Sequence, residues 1–259
     1  MNPITEFEQE CRDRIVEQGK NDDFKAIANS FATEAMRSKY MYNFTSLGRP
    51  IIQFPQDMVA AQELIWEIKP DLVIETGIAH GGSLIQTALM LGALDLADAM
   101  ETGEPLVPGE SKRKVLGIDI DIRDHNREAI EAHPYASYIE MMQGSAIAED
   151  MVENVRTYAK DFNRVMVFLD SMHSHDHVLG ELQAYAELTS VGSYCVVFDT
   201  FVEDLPKGFF DDRPWDVGDN PKTAVHEWIK DRSDFEIDKS WDDRLLISVA
   251  PDGFLKRTA

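Results

Sequence analysis

Basic residues are scarce in this 259-residue chain: 25 Lys and Arg stand against 47 Asp and Glu, a formal net charge of −22. That balance excludes nucleic acid or an anionic membrane surface as the main partner, because both are bound through a cationic footprint. A small anionic ligand responds to local charge and is not excluded. Cysteine is scarcer still. Cys11 falls in a helix-like segment and Cys195 in a strand-like one, so no disulfide framework is expected and a reducing cytoplasm is the simplest location. No apolar run approaches the ~20 residues that span a bilayer. The stretch Met1–Arg12 is mixed and acidic, without the apolar core of a signal peptide. Internal repeats and low-complexity tracts are absent too.

What remains is an ordinary globular composition, 44% hydrophobic and 28% charged, with a length that fits one large domain or one domain plus an appendage. Two helical patterns open the chain: Ile4, Phe7, Cys11 and Ile15, then Phe24, Ile27, Phe31 and Ala35, each at i, i+3/i+4 spacing. Residues Lys39–Pro55 are aromatic and irregular. A third helix is expected over Asp57–Ile68, stopping before Pro70. Beyond it, short apolar strands alternate with helices. The strands are Leu72–Glu75, Val115–Asp119, Tyr138–Gln143, Val165–Asp170 and Tyr194–Asp199; helices begin near Ser83, His125, Ile147 and His177. Such alternation predicts an α/β fold with a mostly parallel sheet covered on both faces. Asn220-Pro221 opens another helix, and Phe235–Ile237 with Leu245–Ala250 predicts an antiparallel hairpin at the sheet edge.

The densest chemical signal is Asp71-Leu-Val-Ile-Glu75-Thr-Gly77-Ile-Ala-His80-Gly81-Gly82-Ser83. A buried strand ends in an acid, a glycine turn follows, and a helix begins. Such a turn lets a ligand approach the backbone, and the helix N-terminus favours anionic groups. A dinucleotide fingerprint requires G-x-G-x-x-G. Here three residues separate Gly77 from Gly81, and E-x-G-x-x-x-G resembles the first S-adenosylmethionine (SAM) motif of Rossmann-like methyltransferases. The cofactor-binding candidates are therefore Glu75, Gly77, His80, Gly81 and Ser83. Asp119, ending the second strand, is placed to accept both ribose hydroxyls, with Asp121 as its rival. Ser145, after the third strand, falls where the adenine would lie.

Asp170 and Asp199 end the fourth and fifth strands. Carboxylates on adjacent parallel strands make an oxygen site for a hard divalent cation, which can hold a substrate hydroxyl and lower its pKa. His173, three residues after Asp170, is the candidate base near neutral pH. His173, His175 and His177 alternate and would instead suit a non-haem iron oxygenase if that segment were extended, but a helix start at Asp176 opposes this.

Tyr42-Asn-Phe-Thr-Ser-Leu-Gly-Arg-Pro50 with Gln56-Asp57, the turn Glu75–Ser83, Gly117-Ile-Asp-Ile-Asp-Ile-Arg123 and Pro251-Asp-Gly-Phe-Leu-Lys-Arg257 together resemble the cephalosporin hydroxylase family. Despite the name, its members resemble metal-dependent O-methyltransferases, including those that methylate sugars of macrolide antibiotics and rhamnosyl lipids. The resemblance spans about residues 35–257. It implies a Mg²⁺-dependent O-methyltransferase, usually oligomeric, with Asp170 and Asp199 as metal ligands and His173 as base. One departure stands out: antibiotic-modifying relatives carry an acidic pair where this chain has Phe198-Asp199, leaving water, Glu203 or Asp204 to complete the shell.

The long segment Phe201–Asn220, with Phe209, Phe210, Arg213 and Trp215, is expected to form a lid. Tyr42, Arg213 and Trp215 are the candidate acceptor contacts: aromatic faces suit a sugar ring, and Arg213 with Lys207 suits a diphosphate. The expectation is a SAM-dependent O-methyltransferase, acting on a saccharide or glycosylated natural product as a homo-oligomer. Residues 1–55 form a helical and aromatic extension, and 56–259 the Rossmann-like catalytic domain with an antiparallel C-terminal strand. A nicotinamide-dependent sugar-nucleotide enzyme and a non-catalytic SAM-fold protein would share parts of this pattern. Glycine spacing opposes the first, and the intact Asp170, His173 and Asp199 oppose the second.

Overall fold

A computed structural model describes residues 2–107 and 109–259; Met1, the first residue of the expected extension, lies outside them. Helices α1 (Pro3–Gly19) and α2 (Asp22–Arg37) open the chain, each started by an asparagine whose side chain accepts a first-turn amide. Most of their large apolar side chains do not face the core. Ile4, Phe7, Phe24, Ile27 and Phe31 are exposed, and α2 instead buries Ala28, Ala32 and Ala35. A short 3₁₀ turn leads into an antiparallel hairpin, β1 (Phe44–Ser46) and β2 (Arg49–Ile51), inside the segment expected to be irregular.

Helix α3 (Pro55–Ile68) begins with Pro in its first turn and leads into the repeating unit. There β3 (Leu72–Thr76), α4 (Gly82–Thr102), β4 (Lys114–Asp119), α5 (Asp124–Glu131), β5 (Ile139–Gln143), α6 (Glu149–Ala159), β6 (Val165–Leu169), α7 (His175–Tyr185) and β7 (Tyr194–Val197) follow in strict alternation. The last elements are α8 (Pro221–Trp228), β8 (Phe235–Ile237), α9 (Lys239–Leu245) and β9 (Phe254–Arg257). The sheet order is β5-β4-β3-β6-β7-β9-β8, parallel from β5 to β7 and antiparallel at β9 and β8.

Alternation along β3 explains the two cores. Val73 points toward α3 and α4, joining Leu84, Ile85 and Phe168; Leu72 and Ile74 point to the other face, joining Leu182, Tyr185 and Trp228. By length and composition α4 is apolar enough to cross a bilayer. Its Leu84, Ile85, Ala88, Leu91 and Leu94 are nevertheless spent on the sheet.

One strand assignment is overturned. Residues 245–250 do not pair with β8: Asp238 caps α9 through Ser240, and Trp241 anchors that helix by stacking on Phe254. The partner of β8 is β9, which inserts between β7 and β8. Leu245–Ala250 is apolar because it packs under the sheet edge, where Val249 and Ala250 are buried.

Candidate active site

The strand order reverses between β3 and β6, and ligands of open α/β sheets bind at such a switch point. Gly77 leaves β3 at φ 88°, and a side chain there would run into the backbone oxygen of Asp170. The carboxyl ends of β3 and β6 therefore touch through a glycine, and their loops bound one cavity of about 380 Å³.

Of the residues singled out in the sequence, Tyr42, Gly77, His80, Ser83, Asp170, His173, Asp199, Arg213 and Trp215 line this cavity. Glu75, Gly81, Asp119 and Ser145 do not. Glu75 is buried beneath the turn, where it accepts hydrogen bonds from Ser83 Oγ at 2.7 Å and from the Thr87 hydroxyl; burial raises its pKa, and the two hydroxyls oppose that shift. Asp119 Oδ2 accepts the amides of Ile78 (2.8 Å) and Ala79 (3.3 Å), and Oδ1 accepts that of Asp121 (3.0 Å). Its carboxylate thus fastens the turn from below. Asp121 faces solvent beside Arg123, 3.7 Å away. Gly81 precedes α4 as its cap, and Ser145 begins the turn before α6.

Asp170, His173 and Asp199 converge, with one potential ligand atom from each lying within 4.8 Å of the others. His173 Nε2 is 3.3 Å from Asp199 Oδ2, and its ring packs nearly perpendicular to that of Trp215, 4.7 Å between centroids. Burial, followed by the charge of Asp199, holds the Asp170 carboxyl well above its ordinary range. Asp199 sits at φ 55°, a left-handed conformation that costs a non-glycine residue free energy and concentrates at functional sites. Gln53 Nε2 donates to Asp170 Oδ2 at 3.1 Å.

Phe198 points away from the cavity and packs edge-to-face on Phe168, ring centroids 5.7 Å apart. Neither proposed substitute reaches the site. Glu203 accepts from Gly218 N (2.8 Å) and Asn220 Nδ2 (2.5 Å), and Asp204 pairs with Lys222 at 2.5 Å. The other two histidines diverge as well, because α7 starts at His175 and puts them on different sides of the helix. His175 meets Thr223 at 2.7 Å, whereas His177 faces Ser171 at 3.0 Å. A three-histidine iron site is therefore not formed.

The segment 201–220 contributes Val202, Phe210, Asp212, Arg213 and Trp215 to the cavity lining; Lys207 stays exposed and outside it. A second stretch of wall comes from Met36, Lys39, Met41, Tyr42 and residues 50–53. Sequence reading missed most of that wall. The signal available was the motif Tyr42–Pro50 with Gln56-Asp57, which brackets Gln53 without marking it.

A family model described as Rhamnosyl O-methyltransferase/CmcI matches residues 38–258. A rhamnosyl O-methyltransferase of Mycobacterium leprae (strain TN) is 27% identical over 224 residues, covering 84% of this chain and 85% of its own. That of Mycobacterium tuberculosis (strain ATCC 25618 / H37Rv) is 29% identical over 205 residues, covering 78% and 73%. Two solved structures share the fold. One titled "CmcI-N160 apo-structure" has a TM-score of 0.52 at 18% identity, covering 84% of this chain and 77% of that one. The other, "cmcI-D160 Mg-SAM", has a TM-score of 0.50 at 17% identity, covering 84% and 78%.

Proposed function

The chain belongs to the rhamnosyl O-methyltransferase/CmcI family and is a SAM-dependent O-methyltransferase; from this premise we propose that it methylates a hydroxyl of a saccharide or glycosylated natural product, with His173 as base and a magnesium ion held by Asp170 and Asp199. The observation that carries the reading is the meeting of Asp170, His173 and Asp199 in one cavity with the Gly77–Ser83 turn. SAM would lie along that turn, its ribose toward Asp119 and its adenine toward Ser145. Trp215, Tyr42 and Arg213 would then receive the sugar.

The donor set suits magnesium: two carboxylates supply hard oxygens, and such an ion keeps several waters in place of further protein ligands. The raised Asp170 carboxyl beside Asp199 is the like-charge pair that a cation relieves. Bound there, the ion would orient the acceptor hydroxyl and lower its pKa.

The chain's own residues account for the proton. His173 Nε2 lies 3.3 Å from Asp199 Oδ2, and a proton carried on that nitrogen would leave the Nδ1 lone pair free to act as the base. In this reading the acceptor oxygen would give its proton to Nδ1 of His173, and SAM, held along the turn, would supply the methyl group with S-adenosylhomocysteine as the leaving group. Compactness of the cluster also favours a second reading, in which His173 is itself a third ligand and solvent takes the proton.

Residues 56–259 are proposed as the catalytic domain, with the preceding 55 residues completing the acceptor wall. A homo-oligomer is supported by the apolar stripe of α1 and α2, where Ile4, Phe7 and Ile27 are each more than 60% exposed. The deciding experiment offers SAM and a panel of rhamnosyl, other deoxysugar and non-sugar hydroxyl acceptors, and follows S-adenosylhomocysteine release. Turnover confined to non-sugar acceptors would overturn the saccharide assignment.

A further inference from the structure

The β1–β2 hairpin is outside the main sheet, yet its backbone abuts the start of α4: a side chain at Gly82 would run into the carbonyl of Pro50. From this hairpin the half-buried Arg49 reaches the glycine turn. Its Nε and Nη2 both donate to the backbone oxygen of His80, at 3.0 and 2.6 Å. Nη2 also donates to Oδ1 of the buried Asn126, at 3.0 Å, and Asn126 Nδ2 donates to the backbone oxygen of Ala79 at 2.9 Å. Two consecutive carbonyls of the turn are thus held by the Arg49–Asn126 pair, while the amides of Ile78 and Ala79 are held by Asp119. Between them Ala79 sits at φ 46°. Such a left-handed alanine persists only where its surroundings over-determine it.

We propose that Arg49 is a positioning residue for the cofactor, a guanidinium fork that keeps the Ala79–His80 backbone in its binding shape before SAM arrives. The inference rests on reading the 77–83 turn as the SAM site. Arg49 is outside the cavity lining, so its effect passes through the turn. A planar fork delivers two parallel N–H groups to one carbonyl; a lysine ammonium has the charge without that geometry. A turn already ordered spares SAM the cost of ordering it. This benefit is equal in the ground and transition states, so it shows in KM for SAM and leaves kcat unchanged.

The test compares wild type, Arg49→Ala and Arg49→Lys by calorimetric titration of SAM and S-adenosylhomocysteine and by steady-state methyl transfer. Arg49→Ala is expected to raise Kd and KM for SAM roughly ten- to a hundredfold, the range for hydrogen bonds from a charged donor, with kcat at saturating SAM unchanged. Arg49→Lys should recover only part of the affinity, and millimolar guanidinium should partly restore Arg49→Ala. The control is Arg113→Lys, which disturbs another half-buried arginine, paired with Asp95 and Asp98; it should lower Tm without moving KM for SAM. Should Arg49→Ala fail to fold, Arg49→Lys and Asn126→Asp carry the test, the latter losing the donor to Ala79. Unchanged SAM affinity in the folded Arg49 variants, with Tm lowered as in the control, would overturn the proposal. Wild type that binds neither SAM nor S-adenosylhomocysteine would instead remove the reading of the turn on which it rests.

Discussion

Gln53 donates its side-chain amide to Asp170 Oδ2 at 3.1 Å, joining the segment before α3 to the end of β6 across 117 positions of sequence. Both residues face the same cavity. A buried amide in that place fixes which way the carboxylate turns, and a buried carboxylate without its donor bears the full cost of desolvation.

Gln53→Leu is therefore expected to lower turnover roughly ten- to a hundredfold, from the ~1.5–3 kcal/mol of a hydrogen bond to a charged group. Affinity for SAM should stay near that of wild type. Gln53→Glu should be worse, since it sets a second carboxylate against Asp170. Methyl transfer and calorimetry on both variants check this, and equal activity in Gln53→Glu and wild type would sink it.

Asp119 fastens the turn and is the proposed ribose acceptor, so Asp119→Ala should weaken SAM binding by about 1.5–3 kcal/mol. The same titration with NAD⁺ should give no heat. Tight NAD⁺ binding in the absence of SAM binding would point to a nicotinamide enzyme.

The two roles open to His173 separate experimentally. As a base, its loss in His173→Ala lowers turnover roughly 10²–10⁴-fold, with magnesium affinity kept. As a ligand, its loss weakens magnesium binding. Chelation and Asp199→Ala should lower turnover while leaving SAM affinity nearly intact. A chelator-treated enzyme at full rate would take the cation out of the proposed mechanism.

Asp57 gives a stability prediction whose sign follows from its burial. Burial pushes its pKa up from 3.8 to about 7, against the hydrogen bonds from Ser248 Oγ (2.6 Å) and the Val249 amide (3.0 Å), and Asp199 adds to the rise. Between those two values the folded chain keeps a proton that the unfolded chain has released. The contribution is complete below pH ~4 and is lost as pH climbs through about 7, at no more than ~1.4 kcal/mol per pH unit. Urea unfolding of wild type and Asp57→Asn from pH 4 to 8 should show the wild type losing stability with rising pH relative to the variant. Parallel profiles would contradict this.

Much of the fold was legible in local pattern. Four of the five parallel strands are short apolar runs, Leu72–Glu75 and Val165–Asp170 among them; the edge strand β5, Ile-Glu-Met-Met-Gln, is half exposed. Parallel pairing buries both faces, so the signal is continuous rather than alternating. The acids and glycines ending those strands were equally visible, because the strand period and the turn chemistry are local properties. The C-terminal edge was not legible. Leu245–Ala250 and Phe254–Arg257 are both apolar enough to be strands, and the cap from Asp238 together with the Trp241–Phe254 stack selects the second.

By itself, then, the sequence determined the alternating α/β order, the E-x-G-x-x-x-G turn, and the acids at the ends of β6 and β7. Tertiary structure alone decided how those acids are held and what covers them. Gln53 meets Asp170, Arg49 meets His80, and Asp57 meets Ser248, across 117, 31 and 191 positions. It also decided that Phe198 turns inward and that Glu203 and Asp204 are held elsewhere. The division has one physical cause. Strand period, helix capping and turn geometry are set by neighbours within a few residues, whereas an acid's hydrogen-bond partners depend on which distant segments the packed core brings beside it.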